Sequence, residues 1–164
     1  MVACYIGLGS NVGDRVGMLT RALACLASRP DMVLLETSSF YLTPAWGHED
    51  QSDFVNAVCR VDTHLTPQDL LTRLKEIEVG LGRRRRFRWG PREIDLDVLF
   101  YGSEVLDDGD LRIPHPMLCR RAFVLIPLAE IAPHMIHPET GIEISEHLEA
   151  IGERGDLQCQ NLDI

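Results

Sequence analysis

Apolar residues run almost unbroken from Val2 to Leu8 before Gly9, which suits a buried strand. Asp14 then precedes Met18, Leu19, Ala22, Leu23, Cys25 and Leu26, the three-and-four spacing of a helix with one buried face. From Met32 to Tyr41 the period drops to two, with Val33, Leu35, Thr37, Ser39 and Tyr41 on one alternation, so a second strand is expected, ended by Thr43-Pro44. Thr43 to Asp53 has no period and reads as a loop; Phe54 to Val61 reads as a third strand. Thr66-Pro67-Gln68-Asp69 supplies a capping hydroxyl, a proline for the first helical position and an acidic residue in the first turn. The helix it opens carries Leu70, Leu74, Ile77 and Leu81 on one face and stops at Gly82.

Ile94 to Tyr101 is the clearest strand. Pro114, Pro116 and Pro127 bracket a mixed segment in which a helix begins near Arg120 to Phe123, and Ile144 to Ile151 reads as a last short helix. Gly7 and Gly9, between a strand and a helix, read as turn residues, and Gly152 to Ile164 receives no element. The resulting order is strand, helix, strand, strand, helix, strand, with helical additions. It predicts an α+β fold of one domain over residues 1–164: a ferredoxin-like α/β sandwich, mainly antiparallel, with helices packed on the sheet.

Composition narrows the function classes. With 164 residues, 45% hydrophobic and 25% charged, the chain has a globular balance that argues against disorder. A net charge of −9 repels nucleic acids and membrane surfaces alike, so any anionic ligand needs a local basic patch. Five cysteines, odd in number and without a C-x-x-C pair, suit a reduced cytoplasmic protein. No basic leader appears, and no apolar run reaches the roughly 18 residues of a membrane span.

The chemistry concentrates between residues 83 and 123. Asp95 and Asp97 alternate with Ile94, Leu96 and Val98, so both carboxylates leave the same face of a strand. Such a pair repels unless a cation compensates, and hard oxygen ligands favour Mg²⁺; two solvated aspartates on an exposed face are the plainer alternative. Arg83, Arg84, Arg85, Arg86, Arg88 and Arg92 place six arginines in ten positions of an acidic chain whose one lysine is Lys75. Guanidinium groups grip phosphate oxygens bidentately, so a polyphosphate carrying Mg²⁺ would use both clusters; a solvated arginine loop or an RNA-binding arm are the other readings. His115, fixed between Pro114 and Pro116, is a further candidate phosphate contact.

Arg88-Trp89-Gly90-Pro91-Arg92-Glu93-Ile94-Asp95-Leu96-Asp97, followed by Ile113-Pro114-His115-Pro116, strongly resembles the 6-hydroxymethyl-7,8-dihydropterin pyrophosphokinases of folate biosynthesis. Gly9-Ser10-Asn11, Phe40-Tyr41-x-Thr43-Pro44, Asp53-Phe54-x-Asn56-Ala57 and Arg121-x-Phe123 extend the match in the family's order. The resemblance implies transfer of a diphosphate from ATP to a reduced pterin, with AMP released. It implies two Mg²⁺ ions at Asp95 and Asp97, triphosphate contacts from Arg83, Arg85, Arg92, His115 and Arg121, and an arginine loop shaped by Trp89. Phe54 and Phe123 would sandwich the pterin, with Asn56, Thr43, Pro44 and Trp46 reading its edge.

Stacking supplies affinity for a flat heterocycle, and a side-chain amide that both donates and accepts supplies specificity. The chain departs from the common family pattern at Phe54 and Pro116, where tyrosine is frequent. The arginine loop, with Gly82 and Gly90 at its ends, is expected to order over the triphosphate, because charges this dense repel until an anion offsets them. The expected partners are ATP and a pterin, without nucleic acid or membrane, on a monomer. The rivals are a ferredoxin-like RNA-binding module and a metal-dependent phosphohydrolase built on Asp95 and Asp97.

Overall fold

The structure is a computed structural model that describes residues 1–45, 50–84, 87, 88, 90–152 and 159–164. Strands β1 (Val2–Ser10), β4 (Phe54–Thr63) and β5 (Asp95–Tyr101) form its centre, with β1 antiparallel to both neighbours. β2 (Met32–Thr37) and β3 (Tyr41–Thr43) lie end to end along the other side of β4. With α1 (Arg15–Ala27) after β1 and α2 (Pro67–Gly80) before β5, this is the expected ferredoxin-like order.

Both helix starts follow from local chemistry. Asp14 caps α1 by accepting from the Gly17 amide at 2.9 Å, and Thr66 caps α2 with its hydroxyl 3.2 Å from the Asp69 amide while Pro67 takes the first turn. At the other end of α2, Gly82 adopts φ +91 and donates to the Val79 carbonyl, while Arg83 donates to the Glu78 carbonyl. These two bonds form a Schellman stop, which requires the left-handed residue that glycine supplies.

The sheet has two buried faces. Cys4, Ile6 and Leu8 of β1 and Leu96 of β5 pack with Leu19 and Leu26 of α1 and Leu70 and Leu74 of α2. On the opposite face Val58, Leu99 and Phe100 meet Leu125 and Leu128 of α3 (Ala122–Ile131) and Ile144 and Ile151 of α4 (Ile144–Gly152). A bulge makes this division possible: Tyr5 pairs with Phe100 and Ile6 with Val98, which leaves Leu99 as an extra residue and turns consecutive side chains to the second core.

Four expectations change. The single strand from Met32 to Tyr41 is two strands, because the Ser38 hydroxyl, accepting from the Val58 amide at 3.0 Å, draws the chain inward between them. Residues between Tyr101 and Pro114 form a hairpin, β6 (Leu106–Asp108) and β7 (Leu111–Ile113), too short to show a period. The tail contributes β8 (Gln160–Asn161), which pairs with β3. Pro127 lies inside α3 instead of ending a segment. Among the described residues, no helix is long and apolar enough to cross a membrane.

Candidate active site

Gly7 and Gly9 are not turn residues; they lie within β1, with Gly7 paired to Asp97 and Gly9 to both Asp95 and Asn56. The period-two pleat turns these glycines, the two aspartates and Phe54 and Asn56 toward the face covered by α3. A Cβ on Gly9 would sit 2.8 Å from Asn56 Oδ1, so a glycine here makes room for the amide. The space that opens is a pocket of about 250 Å³.

Ten of the expected residues line this pocket. Thr43, Pro44, Phe54, Asn56 and Phe123 lie with Arg92, Asp95, Asp97, His115 and Arg121 around one cavity, although their sequence positions span eighty residues. Trp46, Arg85 and Trp89, with Arg86, lie outside the described residues. Arg83 reaches the same centre through Asp95, with its guanidinium 2.7 Å from Asp95 Oδ1.

Part of the pocket's lining is aromatic. Phe54 begins β4 and Phe123 lies in the first turn of α3, with the Arg121 guanidinium 5.5 Å from the Phe123 ring centroid. Asn56 is 6% exposed and donates through Nδ2 to Thr43 Oγ1 at 2.7 Å. A buried amide holding one partner still has a carbonyl and a second N–H for a ligand edge.

Another part of the lining is charged. Burial first, and then the Asp95 carboxylate, pushes Asp97 above the usual carboxylate range against the opposing pull of Lys75, Arg121 and Arg83. Burial lowers Arg121 from its ordinary value, with Asp97 and Asp95 opposing. Burial also works against the charge of Arg83, but Asp95 and Glu78 outweigh it and hold the guanidinium above its ordinary range.

His115 is brought to this part by its own amide, which donates to the Leu99 carbonyl of β5 at 3.0 Å. Burial and then Arg121 push His115 down to about 4. The Met117 amide donates to His115 Nδ1 at 3.2 Å, which leaves the proton of the neutral ring on Nε2. His115 therefore offers a phosphate a neutral N–H donor.

Two supporting residues escaped the sequence reading. Glu78 is 1% exposed and accepts from the Leu96 amide at 2.7 Å while pairing with Arg83 and, at 3.2 Å, with Lys75. Its signal was a carboxylate on the stripe of Leu70 and Leu74, four residues further along a buried helix face. Gln51 also lines the pocket and accepts from Asn11 Nδ2 at 3.1 Å. Asn11 in turn holds Arg92 in place, accepting from the Arg92 amide at 2.7 Å and donating its own amide to the Arg92 carbonyl at 3.0 Å.

The family model of 7,8-dihydro-6-hydroxymethylpterin-pyrophosphokinase (HPPK) matches residues 5–133. The chain belongs to this family. A 2-amino-4-hydroxy-6-hydroxymethyldihydropteridine pyrophosphokinase of Methylorubrum extorquens is 48% identical over 136 residues, covering 83% of this chain and 86% of the relative. The enzyme of the same name from Aquifex aeolicus is 45% identical over 138 residues, covering 84% and 85%. A Plasmodium falciparum HPPK-DHPS crystal structure superposes with a TM-score of 0.78 at 14% identity, over 98% of this chain and 48% of that longer one, and speaks for the fold alone.

Proposed function

We propose that the pocket carries out the family reaction: diphosphate passes from ATP to the hydroxymethyl group of 6-hydroxymethyl-7,8-dihydropterin, giving AMP and the pterin diphosphate. The observation that carries the reading is one cavity with two chemistries: Phe54, Phe123 and Asn56 line it together with Asp95, Asp97, Arg92, His115 and Arg121. A flat, amide-edged heterocycle fits the first, and a triphosphate fits the second.

In this reading the pterin stacks between Phe54 and Phe123 and presents its edge to Asn56. The hydroxymethyl oxygen then faces the charged residues and attacks the β-phosphorus of ATP; a new P–O bond forms there as the bond to the AMP oxygen breaks, and the hydroxyl proton passes to solvent. Arg83, Arg92 and Arg121 stabilise charge on the transferring group and on departing AMP, and His115 adds a neutral N–H donor. Because Arg83 is bonded to Asp95 and Glu78, its release toward a phosphate exchanges one charge partner for another. Arg85, Trp46 and Trp89 are assigned to the same substrates by resemblance.

Asp95 and Asp97 fit Mg²⁺. The Asp97 carboxyl is disfavoured as an anion by burial and by Asp95, a cost that a cation removes. Asp95 and Asp97 would hold the ion through hard carboxylate oxygens, the ligand type that Mg²⁺ prefers. When bound, the two ions expected here would supply positive charge beside the triphosphate and make the β-phosphorus more electrophilic. Five free cysteines, with the Cys4 and Cys59 thiols pushed up to about 12 by burial, suit a reducing, cytoplasmic setting for a monomer.

The test is a product assay with ATP, Mg²⁺ and reduced hydroxymethylpterin. AMP and pterin diphosphate in equal amounts are expected. ADP as the nucleotide product would overturn the transfer, and AMP released without a pterin product would mark a phosphohydrolase.

A further inference from the structure

The tail strand lies against the pocket's least supported wall. β3 is only three residues long, and its last residue, Thr43, receives the Asn56 amide at 2.7 Å. On one side β3 pairs with β4, Tyr41 opposite Asn56 and Thr43 opposite Phe54. On the other side it pairs with β8, Tyr41 opposite Asn161 and Leu42 opposite Gln160, and the ladder continues with the Leu162 amide donating to the Phe40 carbonyl at 2.9 Å. Antiparallel bonding alternates, so Leu42 and Gln160, two positions from that bonded pair, form the next bonded pair. Leu162 packs its side chain on the first core.

A second tie comes from α3. Glu130 Oε1 accepts from the Ser39 amide at 2.9 Å and the Ser39 hydroxyl at 2.8 Å, and Oε2 accepts from the Tyr41 hydroxyl at 2.6 Å. Burial works against this carboxylate, but the bonds from Tyr41 and Ser39 outweigh it and keep Glu130 below its ordinary range. The helix that carries Phe123 in its first turn is thus tied near its last turn to the strand that ends in Thr43.

We propose that β8 and Glu130 form a two-part clamp that sets the position of β3, and through Thr43 the orientation of the Asn56 amide, so that they act as positioning elements for pterin recognition. This rests on the reading of Thr43 and Asn56 as the pterin's edge contacts. A three-residue strand paired on one side only would present a free, fraying edge beside the slot. Movement of Thr43 would release Asn56 Nδ2 and let the amide turn, changing what the slot donates and accepts. Asp95, Asp97, Arg83 and Arg92 hang on β5, α2 and Asn11, for which no bond to β8 is seen among the described residues, and of the charged set only Arg121 shares α3 with Glu130, so the larger effect should fall on the pterin.

The experiment measures binding of the reduced pterin and of a Mg²⁺-bound non-hydrolysable ATP analogue by calorimetry, with melting temperature, for Gln160→Pro, Glu130→Ala, Glu130→Gln and Tyr41→Phe. Gln160 has an exposed side chain, so the proline removes chiefly its ladder N–H. Gln160→Pro and Glu130→Ala are expected to weaken pterin binding about threefold to tenfold, the worth of one or two hydrogen bonds, and to leave the ATP analogue within about twofold. Glu130→Gln should restore most of the loss, because its carbonyl still accepts from Ser39. Unchanged pterin affinity in both variants, or equal weakening of both ligands with a fall in melting temperature, overturns the clamp. Should the proline variant not fold, Tyr41→Phe decides the matter by deleting a single hydroxyl. Asn56→Ala is measured in parallel: if it alone weakens pterin binding, the clamp fails and the slot assignment stands; if it too leaves pterin binding intact, the slot assignment fails with it.

Discussion

Asp97 combines burial with a neighbouring carboxylate two residues away on the same strand face, so its charge costs the folded chain stability in the absence of a cation. Asp97→Asn should therefore keep a melting temperature at or above that of the wild type, while turnover falls on the order of a hundredfold or more as the proposed role of Asp97 as a hard metal ligand requires. Steady-state kinetics and calorimetry on the same preparation check both halves. His115 gives a prediction with the opposite linkage. Its folded value is pushed down to about 4 from the ordinary 6.5, so below pH 6.5 the unfolded chain takes up the proton first. The stability it confers is complete above pH 6.5, declines as pH falls and is gone below about 4. Burial lowers His137 and His147 as well, adding to the same slope. Urea midpoints measured from pH 7 to pH 4 should fall, and His115→Gln should flatten part of that fall.

At the scale of elements, α2 is a lever for Arg83. Its Schellman end, set by Gly82 at φ +91, releases the chain so that Arg83 turns back onto Glu78 and reaches Asp95. Gly82→Ala places a Cβ in the left-handed region at a cost of about 1–2 kcal/mol. The strain is relieved by shifting the following residue, so kcat should fall more than the stability loss alone would explain. Comparison with Gly80→Ala, the last residue of the helix, where an added Cβ meets nothing within 4 Å, separates the two effects. β1 shows the converse dependence, because Gly9 leaves a central strand bare where the Asn56 amide lies against it.

At the scale of the whole molecule, the sheet is buried on both faces and the pocket opens on one of them, between the strands and the start of α3. Ligands filling the charged part of the pocket bring together β5, α3 and the segment around Arg92, so binding should stabilise the fold globally. At a hundred times Kd, linkage adds about 2.7 kcal/mol, or roughly 5–10 °C in melting temperature for a chain of this size. A non-hydrolysable ATP analogue should produce that shift with Mg²⁺ and little of it without, because the aspartate pair then faces phosphate oxygens uncompensated. An equal shift in EDTA would remove Mg²⁺ from the account.

The sequence determined what depends on near neighbours. The strand and helix order, the caps at Asp14 and Thr66, the stop at Gly82 and the shared face of Asp95 and Asp97 are local consequences of period, cap chemistry and glycine's freedom, and all appear in the fold. The motif residues around Asp95, His115 and Phe123 were legible as a set through their resemblance to one family, which the comparisons bear out. Tertiary structure alone decided what depends on distant partners. Nothing beside Glu78 in the chain indicates that its carboxylate will hold Arg83 and the Leu96 amide, and nothing in the tail announces β8, whose two residues acquire a strand conformation from the β3 edge they meet. The break at Ser38 and the extra residue at Leu99 have the same origin: in each case a cross-strand bond or a second core, absent from the local pattern, overrides a period of two.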